Sequence, residues 1–237
     1  MKRIDLKLFL DAFKCSVPVL LGYLAIGAAF GLMMADAGYS WGLTLLMSVV
    51  MYAGAGQYIA VGLLASGASL AEAVLVQLVV NARHIAYGIT MFKRFNAAGA
   101  YKPYLIFALT DETFALLSSR AQTDMPDGKN GLFMLYVSAL NHLYWIAGGL
   151  AGVFAGAWLP FSFEGVSFAL TALFIVLMIE QVMRVKRALP FVIPALAAIL
   201  AVALLPARAS LLSALTAALA ACRIFSPPKP PEGVDAV

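Results

Sequence analysis

From residue 15 to residue 71 the chain carries one charged side chain, Asp36, and it carries none from 130 to 163, from 188 to 207 or from 209 to 222. Runs of that length constrain the fold more than any motif, because about 18 consecutive apolar residues already suffice to cross the hydrocarbon of a bilayer. Composition agrees. Of the 237 residues, 63% are hydrophobic and 12% charged, and the mean hydropathy is +0.92, well outside the soluble range. The chain reads as an integral membrane protein. Strands of barrel type would alternate polar and apolar side chains, which these runs do not do, so the spanning elements are helices.

At about 20 residues per crossing, eight apolar segments emerge, at 17–35, 42–64, 70–91, 103–119, 132–157, 166–183, 189–206 and 209–225. The expected fold is an all-α polytopic helical bundle of about seven to eight transmembrane segments, with residues 16–225 as one transmembrane domain. Residues 1–15 have a basic head, but Asp5 and Asp11 interrupt it and no small-residue cleavage site follows. They read as a retained cytoplasmic amphipathic segment rather than a signal peptide. The Pro-rich end, 226–237, reads as a disordered tail.

Several chemistries are excluded at this level. The net charge of +4 is carried mainly between apolar blocks, so it reads as loop anchoring and not as a nucleic-acid surface. Cys15 and Cys222 each lie in or beside an apolar block and form neither a disulfide framework nor a metal motif. There is no GxxxxGK phosphate loop and no HExxH, and His84 and His142 stand 58 positions apart without nearby Cys. Hydrolysis of ATP or zinc chemistry within this chain is not expected, and neither a metal site, a cofactor nor a catalytic residue is assigned.

An excess of Lys and Arg marks cytoplasmic loops. With the N-terminus inside and eight crossings, eleven of the sixteen Lys and Arg fall inside, four fall in outside loops, and Arg83 lies in a span. Both termini are thereby expected in the cytoplasm. The loop holding Lys93, Arg94 and Lys102 disagrees, and would lie inside only if an earlier segment failed to cross. The candidate is the second segment, whose centre "YAGAGQY" suits a broken or re-entrant element; eight crossings remains the expected count. A faint self-similarity at an offset of 127, residues 41–51 against 168–178, would fit a transporter built from repeats.

Polar groups inside such runs cost free energy and therefore mark candidate sites. In "VVNARHIAYG", Gln77, Asn81, His84 and Gly88 are spaced by four, three and four, which on one helix makes a polar and small stripe facing protein or water. Arg83 projects about 100° from His84 and either pairs with an intramembrane acid or snorkels to the surface. Asp111 and Glu112 stand eight and nine residues after Pro103, near mid-membrane if that segment spans. Intramembrane carboxylates mark proton relays, ion sites or counter-ions; lying at an interface, both would simply be in water. Gly54, Gly56 and Gln57 suit an unwound stretch whose free backbone binds a zwitterion. Asn141 and Tyr144 share a helical face that could extend a polar cavity or belong to an interfacial aromatic belt. Gly27 and Gly31 form a small-xxx-small pair, read as helix packing.

Taken together, "YAGAGQ", "NARHIAYG", "LTDETFAL" and "ALTALFIVLMIEQ", in this order and at these separations, resemble the AzlC family, the large subunit of bacterial branched-chain amino acid exporters. The likeness runs over about residues 13 to 205. It implies a multi-pass permease of the bacterial cytoplasmic (inner) membrane that exports leucine, isoleucine and valine, with methionine at the edge of that range, driven by the proton gradient. It also implies a small hydrophobic AzlD-like membrane subunit as partner. The family's motif positions fall on Gln57, Asn81, Arg83, His84, Asp111 and Glu112. The expected mechanism is alternating access, with Gly54 to Gln57 and the stripe from Gln77 to Gly88 holding the backbone charges of the amino acid. Asp111 or Glu112 would take up the coupling proton and Arg83 would pair with one of them. The rival classes are a passive channel for another small zwitterionic or organic solute, and an intramembrane enzyme.

Overall fold

The computed structural model describes residues 5–119, 129–158 and 189–204, with single positions at 175, 179, 182 and 213. All secondary structure among them is helical. The chain forms two compact units, 1–170 and 171–237.

In the first unit two long helices dominate. Helix α1 (Leu6–Asp36) has 31 residues, about 46 Å, which exceeds the roughly 30 Å of hydrocarbon. The segment expected as a separate lead-in is, from Leu6 on, continuous with it. Asp5 starts the helix by accepting the backbone N–H of Leu8 at 3.3 Å. Gly38, at φ +77°, ends it: the N–H of Gly38 bonds the carbonyl of Ala35 and that of Tyr39 bonds Met34, a Schellman motif. Helix α8 (Asn130–Trp158) has 29 residues and runs parallel to α1. Phe9 meets Tyr136, Ser16 meets Tyr144, and Gly27 meets Gly148. A Cβ on Gly148 would lie 2.7 Å from the Tyr23 carbonyl oxygen, and one on Gly27 3.0 Å from that of Trp145. The backbones therefore touch where side chains would stand, as close-packed membrane helices require. At the side where both helices begin, here the near side, Lys129 Nζ bonds Asp5 at 2.8 Å, and that bond holds the Asp5 carboxyl below its ordinary pKa.

Between them lie six shorter helices. They are α2 (Trp41–Leu46), continued by a π-helical turn Met47–Met51, then α3 (Ala55–Ala65), α4 (Leu70–Asn81), α5 (Arg83–Ala97), α6 (Lys102–Phe107) and α7 (Asp111–Ser118). Helices α4 and α5 meet at a 48° bend and together are long and apolar enough to span. Their direction is fixed at the end of α5, where Ala98 packs on the start of α8: a Cβ on Gly131 would lie 3.0 Å from the Ala98 Cα. The pair thus runs from the far side to the near side. Since α1 also ends at the far side, residues 37–69 begin and end there, and segment 42–64 is re-entrant. Helix α2 enters beside the far end of α8, with Trp41 stacked on Phe154, and the chain reaches His142 at Ser48 and Tyr52. Helix α3 returns antiparallel to α4, its residue Gly56 bonded to Gln77 near the end of α4.

Segment 103–119 folds back likewise from the near side. Helix α7 descends alongside α5 in step, through Arg83 with Asp111, Tyr87 with Phe114, and Arg94 with the Leu117 carbonyl. Segments 42–64 and 103–119, each expected as one spanning helix, are thus each a pair of shorter helices that doubles back. The halves of 42–64 have 11 residues each, about 16 Å, enough for half the hydrocarbon depth. The continuous helix expected over 70–91 is also corrected, because it breaks at Ala82: Asn81 Nδ2 bonds the Gln77 carbonyl and His84 Nδ1 the Asn81 carbonyl, side-chain bonds that compete with the helix ladder.

In the second unit α9 (Leu189–Leu204) is a 16-residue apolar helix with Pro194 inside it. The segments expected at 166–183 and 209–225, the second half of the self-similarity and the tail lie outside the described residues apart from the single positions above. Large apolar side chains of the first unit such as Leu21 and Ile89 are 72% and 73% exposed, as lipid-facing surfaces are and packed soluble surfaces are not.

Candidate functional site

The two hairpins approach mid-depth from opposite sides, and each ends in a break. Breaking a helix there frees backbone groups that no water can satisfy, so side chains must do it. At the first break Tyr52 takes φ +37° and Gly54 φ +45°, the left-handed region that Gly tolerates and Tyr adopts under constraint. The freed Ser48 carbonyl accepts from His142 Nε2 at 3.1 Å, and the Ala53 N–H donates to Gln57 Oε1 at 3.2 Å. A carbonyl only accepts, so His142 carries a proton on Nε2; its Nδ1 lies 3.1 Å from the Tyr104 hydroxyl on α6. His142 thus ties α8 to both hairpins, and its ring stacks on Tyr52 at 4.2 Å.

Beside this break a cleft of about 570 Å³ opens. Its lining includes the polar Gln77, Asn81 and His84 and the apolar Ile85, Ile106 and Leu109. The stripe expected on one helix is thus assembled across the α4–α5 bend instead. Gln77 Nε2 donates to the Gly56 carbonyl at 2.8 Å, and Asn81 Nδ2 donates to Gln77 Oε1 at 2.9 Å. A Cβ at Gly56 would lie 2.7 Å from Gln77 Oε1 and 3.0 Å from Asn81 Nδ2, so a larger residue here would have to displace these two amides. His84 Nδ1 donates to the Asn81 carbonyl at 3.0 Å. Two buried atoms of this cluster, Asn81 Oδ1 and Gln57 Nε2, have no hydrogen-bond partner among the described residues. One offers a lone pair and the other an N–H.

At the second break, Ala108 to Thr110, the acids begin α7, and Thr110 caps it by accepting the Thr113 N–H at 3.3 Å. Asp111 and Glu112 part company here. Asp111 pairs with Arg83 at 2.7 Å, each side chain about one-third exposed. Glu112 Oε2 instead accepts from the Tyr23 hydroxyl of α1 at 2.7 Å. That hydroxyl lies 2.6 Å from Thr110 Oγ1, which lies 3.0 Å from Thr113 Oγ1, to which Asn141 Nδ2 donates at 3.0 Å. Tyr144 does not join Asn141: its hydroxyl lies 3.0 Å from Ser16 Oγ and ties α8 to α1. Tyr23, Tyr104 and Ser48 carry no sequence signal of their own, and Thr110 and Thr113 stand inside the quoted motif "LTDETFAL" without being singled out. A lone Tyr in an apolar run reads as packing until the partner 89 residues away is known. His142 stands beside Asn141 in sequence, and only its bonds to both hairpins set it apart.

The AzlC protein family matches residues 18–159, an interval that ends where α8 ends. The Bacillus subtilis protein named branched-chain amino acid transport protein AzlC is 38% identical over 180 residues, covering 76% of this chain and 70% of that protein. An uncharacterized membrane protein of Helicobacter pylori is 45% identical over 179 residues, covering 76% and 78%. The Escherichia coli inner membrane protein YgaZ is 28% identical over 182 residues, covering 74% of each. No solved structure matches the chain.

Proposed function

Because this chain belongs to the AzlC family, we propose that it is a transporter that moves branched-chain amino acids out across the cytoplasmic membrane, coupled to protons and working with a small hydrophobic AzlD-like subunit. The observation that carries this reading is the cleft between the hairpin breaks, polar at Gln77, Asn81 and His84 and apolar at Ile85, Ile106 and Leu109. Helices α3 and α7 both begin at mid-depth, and a helix N-terminus favours negative charge. Helix α7 supplies its own, Asp111 and Glu112; α3 has no acidic residue in its first turn. In the proposed complex the substrate carboxylate faces the start of α3, its ammonium faces Asn81 Oδ1, and its branched side chain lies among the apolar residues. Inner-membrane placement with both termini cytoplasmic belongs to the same reading, and no enzymatic step is assigned.

The test is export of labelled leucine, with valine and glutamate as comparisons, from cells expressing this chain with the small subunit. Leucine efflux above empty cells that stops when the proton gradient is collapsed, and that Asp111→Asn or Glu112→Gln abolishes at unchanged membrane level, supports it. Efflux equal to that of empty cells, with the complex present and folded, removes the substrate assignment. Two half-helices meeting at mid-depth would also suit a passive pore, which would equilibrate leucine whether or not the gradient stands.

A further inference from the structure

We propose that Glu112, and not Asp111, takes the coupling proton, and that Tyr23 is the positioning residue that relays its protonation state through Thr110 and Thr113 to Asn141 on α8. The proposal rests on the proton-coupled transport argued above and deepens it. Asp111 has its charge balanced by Arg83 at 2.7 Å, whereas the partner of Glu112 is a neutral hydroxyl. The other titratable groups around it are Asp111 beside it on α7, with its partner Arg83 on α5, and, across the hairpin tips, Tyr52, whose ring is 6.4 Å from that of Tyr23. Tyr104 and His142 lie beyond Tyr52.

Counting hydrogens shows why the chain transmits. Between Glu112, Tyr23, Thr110 and Thr113 there are three short gaps, of 2.7, 2.6 and 3.0 Å, and each hydroxyl owns one hydrogen that rotates to suit. In this structure Tyr23 donates to Glu112 and Thr110 donates to Thr113; with Glu112 ionised, the Thr110 hydrogen turns to Tyr23 and that of Thr113 turns to Thr110. Thr113 then has lone pairs free for the Asn141 amide. When Glu112 is protonated, its own hydrogen fills the first gap, every other hydrogen moves one gap along, and that of Thr113 is displaced out of the chain. Asn141, 0% exposed, holds an Oδ1 without a partner among the described residues; turning its amide offers that oxygen to the displaced hydrogen. No covalent bond to carbon or nitrogen changes, and one proton entering at Glu112 is accounted for. The readout end lies on α8, whose next residue, His142, bonds the Ser48 carbonyl of the far-side hairpin and lies 3.1 Å from the Tyr104 hydroxyl of the near-side one.

The test is an infrared pH titration of the protonated-carboxyl band, on the full-length chain expressed with the small subunit and purified into lipid nanodiscs. Glu112→Gln should remove the band. Tyr23→Phe removes a donor to the ionised form, and should raise the band's midpoint by about one pH unit. If Tyr23→Phe does not fold, fluorotyrosine incorporated at position 23 keeps the shape and makes a stronger donor, and should lower the midpoint. A band that survives Glu112→Gln, that is lost in Asp111→Asn alone, or that neither change at position 23 moves, overturns the proposal. The titration needs no substrate. If the band behaves as stated while no leucine is exported, the transport reading falls and the Glu112 relay stands; if leucine moves uphill while the midpoint ignores position 23, the reverse holds.

Discussion

Arg83 and Asp111 show what a residue's neighbours add to its chemistry. Both were legible as costly groups in an apolar run, and an ion pair between Arg83 and one of the two acids follows from that cost. Which acid pairs was not legible, because adjacent residues on a helix diverge by about 100° and only the packing of α1 and α5 around α7 assigns each its partner. The pair is one-third exposed, so its coupling should be about 1 kcal/mol and not the several expected of a fully buried pair. A double-mutant cycle of Arg83→Gln and Asp111→Asn, read as thermal unfolding in detergent, measures it. Additivity within about 0.3 kcal/mol would mean that the two do not interact. Asn141 and Tyr144 carry the same lesson: one turn apart on α8, they bond to Thr113 and to Ser16, on two different helices.

At the scale of elements, small residues decide where helices can meet. Gly27 and Gly31 were readable as a packing face, and they do pack, against Gly148, Gly149 and Val153 of α8, while Gly152 of α8 meets Ala28 between them. The partner helix was not readable, since α8 is rich in small residues but nothing local says which neighbour they admit. Gly148→Leu should cost about 3 kcal/mol or more, because its Cβ would meet the α1 backbone rather than a side chain able to yield. Gly22→Leu, on the same α1 and with open space around its Cβ, should be tolerated. Monodisperse yield and thermal midpoint in detergent separate the two, and equal behaviour would mean that α1 and α8 do not touch there. The broken second segment was readable from its glycines. The break at Ala82 was not, because it arises from bonds among Gln77, Asn81 and His84 that a helical-wheel reading replaces with a stripe.

For the whole molecule, the near-side end of α5 makes a sharp prediction about sidedness. Asn96→Cys and Ser119→Cys, in a background without native cysteine, should react with an impermeant thiol reagent from the same side of the membrane. Ala37→Cys and Ser66→Cys should both react from the other. Labelling of Asn96→Cys and Ser119→Cys from opposite sides would mean that segment 103–119 crosses after all, and labelling of Ala37→Cys and Ser66→Cys from opposite sides would mean the same of segment 42–64. The arrangement also places Lys93, Arg94 and Lys102 on the side of Asp5 and Lys129, the side that an excess of basic residues would make cytoplasmic. What the sequence by itself determined is the solvent and the material: apolar runs that must be helical in lipid, and an ordered set of motifs specific enough to identify the family. Hydropathy sums the transfer free energy of each residue, and that sum is the same for a segment that crosses and for one that turns back. Only contacts between residues far apart in the chain, Ala98 with Gly131, Gly56 with Gln77 and Tyr23 with Glu112, decided which segments cross and which polar groups share a site.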